Sequence, residues 1–565
     1  MEHVEIVNFE FRISNSELPR HHHLTAAELM AVSALTLAAA AVVSAYLIYR
    51  AALTIPPLLV LLFSLAAGGA SIVWLRRRAT WNAGELIAFG SVVIVVLAWL
   101  LWLARPNLLP IGGGSDLTHH MVLIDYIAHH WRLIEDPALI PYLGDMIYYT
   151  PGSHLLIALA GAWTHADVLH AVHPVLALTV ALKSGLVFLV ALRLLPRDVP
   201  RVPLAVTAVL LLFLPLDYFI GAFTHDSFWA QVAAEVFACG MWWALVVWDE
   251  RPSRLAMAFF AMAGAATFIV WPMWIGPLLV SLAALVALRE GLSLKERLTH
   301  LTIALGPIAF VAAIHMAGRL RWLVIATTSG AVIHPSAGVF GPTFLVLSVA
   351  GLCLAATRRE GRATTLLVGA IAVQGIVLYV LATSRGADTP YMAYKMIFLL
   401  IYPLAAAASV AVAEAWRILA RLVGGRVTRT SGPAWALVVL LGVLIGRQVT
   451  PAPVPIVSES VYLAGQWARA HVQPACVDYL VADSNTGYWL HLSVLGNPRT
   501  TARMADRDVF DPRKAVVRWI YPDGLPFAIV GDLSALPKDI RDNVDILTRV
   551  DRSAVVKRRG PSSCE

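Results

Sequence analysis

Asp116, His119 and His120 stand together in Gly112-Gly113-Gly114-Ser115-Asp116-Leu117-Thr118-His119-His120, directly after an apolar run that ends near residue 104. A carboxylate and two imidazoles can accept a proton or bind a cation. On a helix starting at the Gly-rich turn, positions i, i+3 and i+4 share one face. Such groups at the edge of an apolar run point to acid–base or cation chemistry at a membrane surface, on a substrate that is itself lipid-linked. The purely structural alternative is that Ser115 or Asp116 caps the helix and the histidines are a solvated face.

Further along lies Tyr148-Tyr149-Thr150-Pro151-Gly152-Ser153-His154, where Pro151 suits a first helical turn and His154 can face the same site. Asp217 to Ser227 carries two carboxylates and an imidazole, with His225 and Asp226 as site candidates and no Lys or Arg to compensate them. Asp226 also suits the N-cap of the next span. In Tyr391-Met392-Ala393-Tyr394-Lys395, Lys395 sits about one turn inside an apolar span, where it either snorkels or meets a phosphate. Arg385, six residues before that span, and Tyr394 are candidates to join it. Asp116, His119 and Asp226 form a candidate ligand set for a divalent cation, Mg or Mn. Thr327-Thr328-Ser329-Gly330 to His334 reads as a flexible loop able to cover a site. Lys183 and Glu235 fall inside spans, and both are expected to face the bundle interior, Lys183 paired internally.

The elements that must position these groups are membrane helices. The chain has 565 residues, 59% hydrophobic and only 14% charged, against about a quarter charged in soluble domains. The apolar runs are long and continuous, so they read as helices rather than barrel strands. Thirteen spans are expected, at 24–49, 54–75, 84–104, 172–195, 202–219, 228–248, 254–270, 272–288, 298–318, 341–357, 363–384, 391–412 and 433–449. Residues 153–163 are too short to cross and read as a re-entrant or interfacial helix. With the N-terminus inside, the inside loops hold 18 Lys and Arg, including Arg193, Arg201, Arg358 and Arg417. The outside loops hold 6, so the basic residues agree with the positive-inside rule. The first outer loop is then 105–171, and the C-terminal tail is outside. The net charge of +7 is spread over these loops and implies no nucleic-acid partner.

The tail, 451–565, is polar. After Pro451-Ala452-Pro453-Val454-Pro455 it shows a helix from N-cap Ser458 to about His471 and two buried strands, Val477 to Ala482 and Phe527 to Val530. Cys239 and Cys353 read as small core residues, while Cys476 and Cys564 can pair if the tail faces an oxidising compartment. The expected fold is therefore a polytopic α-helical membrane protein of about thirteen transmembrane helices with outer-face juxtamembrane helices and a small C-terminal α/β extramembrane domain. Its parts are 1–83, an N-terminal cytoplasmic segment with two additional helices, 84–450, the catalytic membrane domain, and 451–565, the extracytoplasmic domain.

The outer-loop Asp116, the Tyr149-Thr150-Pro151-Gly152 turn with His154, and the late Tyr391-Met392-Ala393-Tyr394-Lys395 together resemble the GT-C superfamily of integral-membrane glycosyltransferases, over roughly 80–412. The resemblance implies polyprenyl-phosphate sugars as donors, Asp116 as the first-loop catalytic acid, and Lys395 with Arg385 as lipid-phosphate contacts. It also implies that the segment after Asp116 and the segment 151–165 are juxtamembrane helices. Relatives often carry two prolines where this chain has Pro151-Gly152. The two spans before 84–104 look like an addition, and a WWD-type oligosaccharyltransferase signature is absent from the sequence.

The chemistry is consistent with that implication. Glycosyl transfer passes through an oxocarbenium-like state, inversion needs a base on the acceptor hydroxyl, and a phosphate leaving group needs positive charge waiting. The expected activity is an inverting hexosyl or pentosyl transfer at the outer, periplasmic face of a bacterial-type inner membrane. Asp116 is the expected base, and His119, His120, His154, His225, Asp226, Arg385, Tyr394 and Lys395 are the expected substrate contacts. The acceptor is a glycan, a lipid or a protein. Two other classes compete: a transporter or flippase for a lipid-linked or anionic solute, and a non-catalytic membrane assembly subunit. The first would show inverted repeats, which the sequence lacks.

Overall fold

The computed structural model describes residues 24–133, 139–317, 319–422, 431–446, 458–498, 510–521, 524–562 and 564. The N-terminal segment 1–23, the Pro451–Pro455 linker, Arg426 and Arg429 lie outside the described residues. Among the described residues, eight helices are long and apolar enough to cross a membrane, and five shorter apolar helices accompany them. Each expected span coincides with one of these helices, but length alone establishes a crossing only for the eight. The chain is a multi-pass helical membrane protein with a small mixed domain at its end.

Val168–Leu194, Trp229–Glu250 and Tyr391–Leu422 are the most enclosed of the long helices. Pro57–Leu75, Ala83–Leu103 and Arg359–Ser384 turn large apolar side chains such as Leu62, Ile94 and Val380 outward, where only lipid would shield them. Cys353 is exposed on the Pro342–Ala356 helix, so the expected core role holds for Cys239 alone. The expected span 202–219 is also two pieces. Arg201–Leu211 ends before Pro215, and a π-helical turn, Asp217–Gly221, runs into Ala222–Thr224, so much of the expected second outer loop is coiled. Pro215 lacks an N–H for the ladder and its ring crowds the preceding turn.

The bundle has two chemically distinct ends. At one, Arg193 joins Glu28 and Glu250, Asp249 joins Arg289 and Arg362, and Glu414 joins Arg358 (2.9 Å) and Arg417 (3.1 Å). Glu28 also closes a capping box with Thr25, its carboxylate accepting from the Thr25 N–H at 2.9 Å. Lys395 belongs to the other end. It and Arg417 sit on one helix, Tyr391–Leu422, separated by roughly 33 Å at 1.5 Å per residue. The arginines expected in inside loops therefore gather opposite Lys395.

The tail domain packs on the Lys395 end. Its helix Glu459–His471 begins at Ser458, whose hydroxyl accepts from the Val461 N–H at 3.3 Å. Strand Val477–Leu480 pairs parallel with Phe527–Val530, which pairs antiparallel with Ser553–Arg558, and Val544–Val550 completes the sheet. Cys476 and Cys564 are disulfide-bonded across a sequence separation of 88. A loop of that length is worth about 4–5 kcal/mol in the chain-entropy picture. The domain grips the Asp116 helix, Gly114–His130: the Ser493 hydroxyl donates to the Thr118 carbonyl at 3.3 Å, and Arg469 reaches Asp125 at 3.6 Å.

Candidate functional site

Gly113 is the N-cap of Gly114–His130, so Asp116 falls in the first turn rather than at the cap, and its carboxylate stays exposed. An acidic first turn is stabilised by the helix dipole. Gly112 has φ +123°, and a Cβ there would stand 2.4 Å from the Ser227 hydroxyl, so only glycine lets this turn lie against the second loop. Gly113 in turn abuts the His225 carbonyl. The two loops that carry Asp116 and Asp226 are thereby pressed together.

Lys395 meets them from the Tyr391–Leu422 helix. Its side chain is buried, 4% exposed, and its ammonium lies among three rings: Phe228 at 3.4 Å, Tyr391 at 4.6 Å and Trp271 at 5.2 Å from the centroids. Such contacts are worth about 0.5–2 kcal/mol each. No carboxylate forms an ion pair with this lysine among the described residues. It is close enough to act electrostatically on both candidate carboxylates. Surrounding protein holds the Asp116 carboxyl above its ordinary range despite the exposed oxygens, with Lys395 opposing. Burial pushes Asp226 up to about 6, with Lys395 and His225 opposing, and Asp217 and Asp116 adding to the rise. Asp116 also adds to the upward shift of the buried Tyr149 phenol, after burial and Tyr391. Asp116, Asp226, Lys395, Tyr149 and Tyr391 therefore form one electrostatic neighbourhood.

Trp271 enters this site because its helix breaks. Arg254–Val270 ends where Pro272 starts a 3₁₀ turn, and the Thr150 hydroxyl donates to the Val270 carbonyl at 2.7 Å. A Cβ on Gly152 would lie 2.9 Å from the Val270 backbone, so glycine lets these two segments meet. Asp226 Oδ2, Ser227 Oγ, Trp229 Nε1 and Trp271 Nε1 are buried with no partner among the described residues. One unmet acceptor and three unmet donors suit a polar ligand.

The other expected contacts divide. His120 and His154 are buried and hold each other, Nδ1 to Nε2 at 2.9 Å, with His120 stacked on Trp229. Burial holds His154 down to about 3 and His120 well below the usual imidazole range, so both are neutral packing groups at pH 7. His119 Nε2 meets the Tyr488 hydroxyl of the tail domain at 2.9 Å. His225 is exposed beside Asp226. Tyr394 packs against His334 and Tyr379. Arg385 caps the preceding helix, exposed, and is not among the charges acting on Asp116 or Asp226. The expected covering loop lies on this same helix start, with Ser329 bridged to Pro390 and Gly330 against the Tyr391 ring. Among the described residues no three His, Cys, Asp or Glu side chains converge as metal ligands, so Asp116, His119 and Asp226 do not assemble into the expected cation set.

Sequence reasoning reached Asp116, Asp226 and Lys395 but not Phe228 and Trp271, which come from two other elements. The Trp271-Pro272 pair was the available signal, since a proline that ends a helix beside a bilayer face leaves the preceding ring at its end.

No protein-family model matches the chain, and no curated protein matches it. Several solved structures do. ArnT from Cupriavidus metallidurans bound to undecaprenyl phosphate is similar at TM-score 0.47 and 14% identity, covering 84% of this chain and 98% of that one. The arabinofuranosyltransferase AftD from Mycobacteria gives TM-score 0.49 and 13% identity over 84% of this chain, which spans 41% of AftD. The archaeal oligosaccharyltransferase AglB from Archaeoglobus fulgidus, in complex with an inhibitory peptide and a dolichol-phosphate, gives TM-score 0.43 and 14% identity, over 79% and 69% of the two chains. The likeness is one of overall fold.

Proposed function

We propose that this chain is a membrane glycosyltransferase that moves a sugar from a polyprenyl-phosphate donor to an acceptor hydroxyl with inversion. The observation that carries the reading is Lys395: a buried ammonium without a carboxylate partner, boxed by Phe228, Tyr391 and Trp271, beside two carboxylates at one end of the bundle. A buried unpaired cation at a membrane face is costly unless a ligand supplies the anion. A lipid phosphate does so, and it arrives at this depth because its tail stays in the bilayer.

In the proposed step the acceptor oxygen attacks the anomeric carbon. The bond from that carbon to the phosphate oxygen breaks, and the phosphate leaves with the electron pair toward Lys395. The acceptor proton passes to Asp116, which is exposed and within electrostatic reach of Lys395. Its raised affinity for protons makes it a better base than an ordinary surface aspartate. Asp226 and the unmet Ser227, Trp229 and Trp271 groups are available to hold the sugar hydroxyls. The arginine-rich end is assigned to the cytoplasm by the positive-inside rule, which puts this site and the disulfide-bonded tail on the extracytoplasmic side of a bacterial-type inner membrane.

The test is release of polyprenyl phosphate from a panel of polyprenyl-phosphate hexoses and pentoses by the protein in proteoliposomes supplied with glycan, lipid and peptide acceptors. Asp116→Asn should lower turnover by about 10²–10⁴-fold with donor binding retained. Wild-type turnover in the Asn variant would remove Asp116 as base, and no release by the wild type from any donor would reject the reading.

A further inference from the structure

The arginine-rich end holds a cavity of about 660 Å³ that the proposed chemistry does not use. It is lined by Arg193, Arg197, Arg201, Arg358, Arg359 and Arg417 together with an equal number of acids, so net charge alone selects no ligand. The hydrogen bonding does. Most of the acids are engaged: Glu28 and Glu250 by Arg193, Asp198 by Arg417, and Asp249 by Arg289 and Arg362. Among the described residues, three buried side-chain polar atoms of the lining lack a partner, and all are guanidinium donors: Arg201 Nε, Arg358 Nη1 and Arg417 Nε. Arg197, Arg201 and Arg359 form no ion pair among the described residues. A buried N–H on a charged group is expensive to leave unmet, and the group that meets several at once is a compact, acceptor-only oxyanion.

We propose that this cavity is a binding site for a phosphate-class oxyanion, a phosphomonoester or phosphodiester, held by Arg201, Arg358 and Arg417 with Arg197 and Arg359 at the rim. The arginines come from three separate places in the chain: the start of Arg201–Leu211, the turn before Arg362 and the last turns of Tyr391–Leu422. An anion there would tie these elements together on the face opposite Lys395. The site is independent of the transferase reading, because it shares no residue with the Asp116 and Lys395 neighbourhood.

The experiment measures thermal stability of the full chain in three settings: neutral detergent with inorganic phosphate, nanodiscs of phosphatidylglycerol, and nanodiscs of phosphatidylcholine. Stabilisation by free phosphate supports a soluble phosphate source. Stabilisation only by phosphatidylglycerol over phosphatidylcholine supports a lipid headgroup. In either case Arg201→Gln with Arg358→Gln should weaken the apparent affinity by about tenfold or more for each lost charge-assisted contact. Should that double variant fail to fold, Arg197→Gln serves in its place, since Arg197 is exposed and forms no ion pair among the described residues, and its loss should still weaken the response. No stabilisation by phosphate or by the anionic lipid, or an unchanged response in the variant that folds, overturns the proposal.

Discussion

Lys183 and Lys395 are both buried lysines of enclosed helices, yet the structure treats them in opposite ways. Lys183, 0% exposed, is ion-paired to Glu235, and the Tyr402 hydroxyl donates to the same carboxylate at 2.5 Å. Its ammonium is met by one oxygen of that carboxylate, Oε2, while Oε1 is buried without a partner among the described residues. Lys395, 4% exposed, has aromatic faces on three sides and no carboxylate in contact among the described residues. A closed pair consumes its own charge and holds helices together. An ammonium without a carboxylate partner leaves its N–H donors for something that arrives. Under the proposed function, that difference separates a lysine that holds helices together from one that meets a ligand.

The largest test of this contrast is a pair of truncations. Lys183→Ala leaves Glu235 buried and unpaired and should cost about 3–5 kcal/mol, seen as a lowered Tm in detergent. Lys395→Ala should leave Tm nearly unchanged while donor turnover falls by about 10²-fold or more, as expected for lost leaving-group stabilisation. Reversal of the two outcomes would break the distinction. Replacing the whole pair, Lys183→Met with Glu235→Met, should recover most of the lost stability, because isosteric apolar replacement of a buried pair is often neutral. If the double variant is stable but inactive, the pair belongs to the site after all.

The aromatic box gives a smaller effect. Phe228→Leu keeps an apolar side chain of somewhat smaller volume but removes the nearest ring face, and it should raise KM for the donor by about 30-fold at most, the scale of one desolvated cation–π contact of about 2 kcal/mol. The smallest effect is in pH. Asp226 keeps its proton up to about 6, above the ordinary 3.8, so the protonated form is the one the fold prefers. Its contribution to stability is present below the ordinary range and is lost as pH rises through 6. Asp226→Asn should match wild type in Tm at acid pH and exceed it above pH 6. Removing that negative neighbour should also move the acid limb of the rate profile, set by Asp116, to lower pH. An unmoved limb would separate the two carboxylates.

Much of the architecture was legible because it rests on local signals. Continuous apolar runs marked the helices, the Ser458 cap marked the tail helix, and the Phe527–Val530 run marked its strand. The errors arose where local pattern and packing diverge. Pro215 split a run that reads as one span, and Cys353 faces outward although its helix is apolar all round, since lipid and core look alike in sequence. In the site, Asp116 and Lys395 stood out because charge at a membrane boundary is unusual. His120 and His154 stood out for the same reason, yet their rings turn inward to each other.

The amino-acid sequence alone determined that this is a helical membrane protein whose arginines gather on one side and whose Asp116, Asp226 and Lys395 gather near the other, since hydrophobic length and charge placement are properties of consecutive residues. Only the tertiary structure decided which lysine is spent on a partner and which rings surround the other. Phe228, Trp271 and Tyr391 are far apart in the chain, and they surround one ammonium only because a helix broken at Pro272 and two loops packed through Gly112 bring them there.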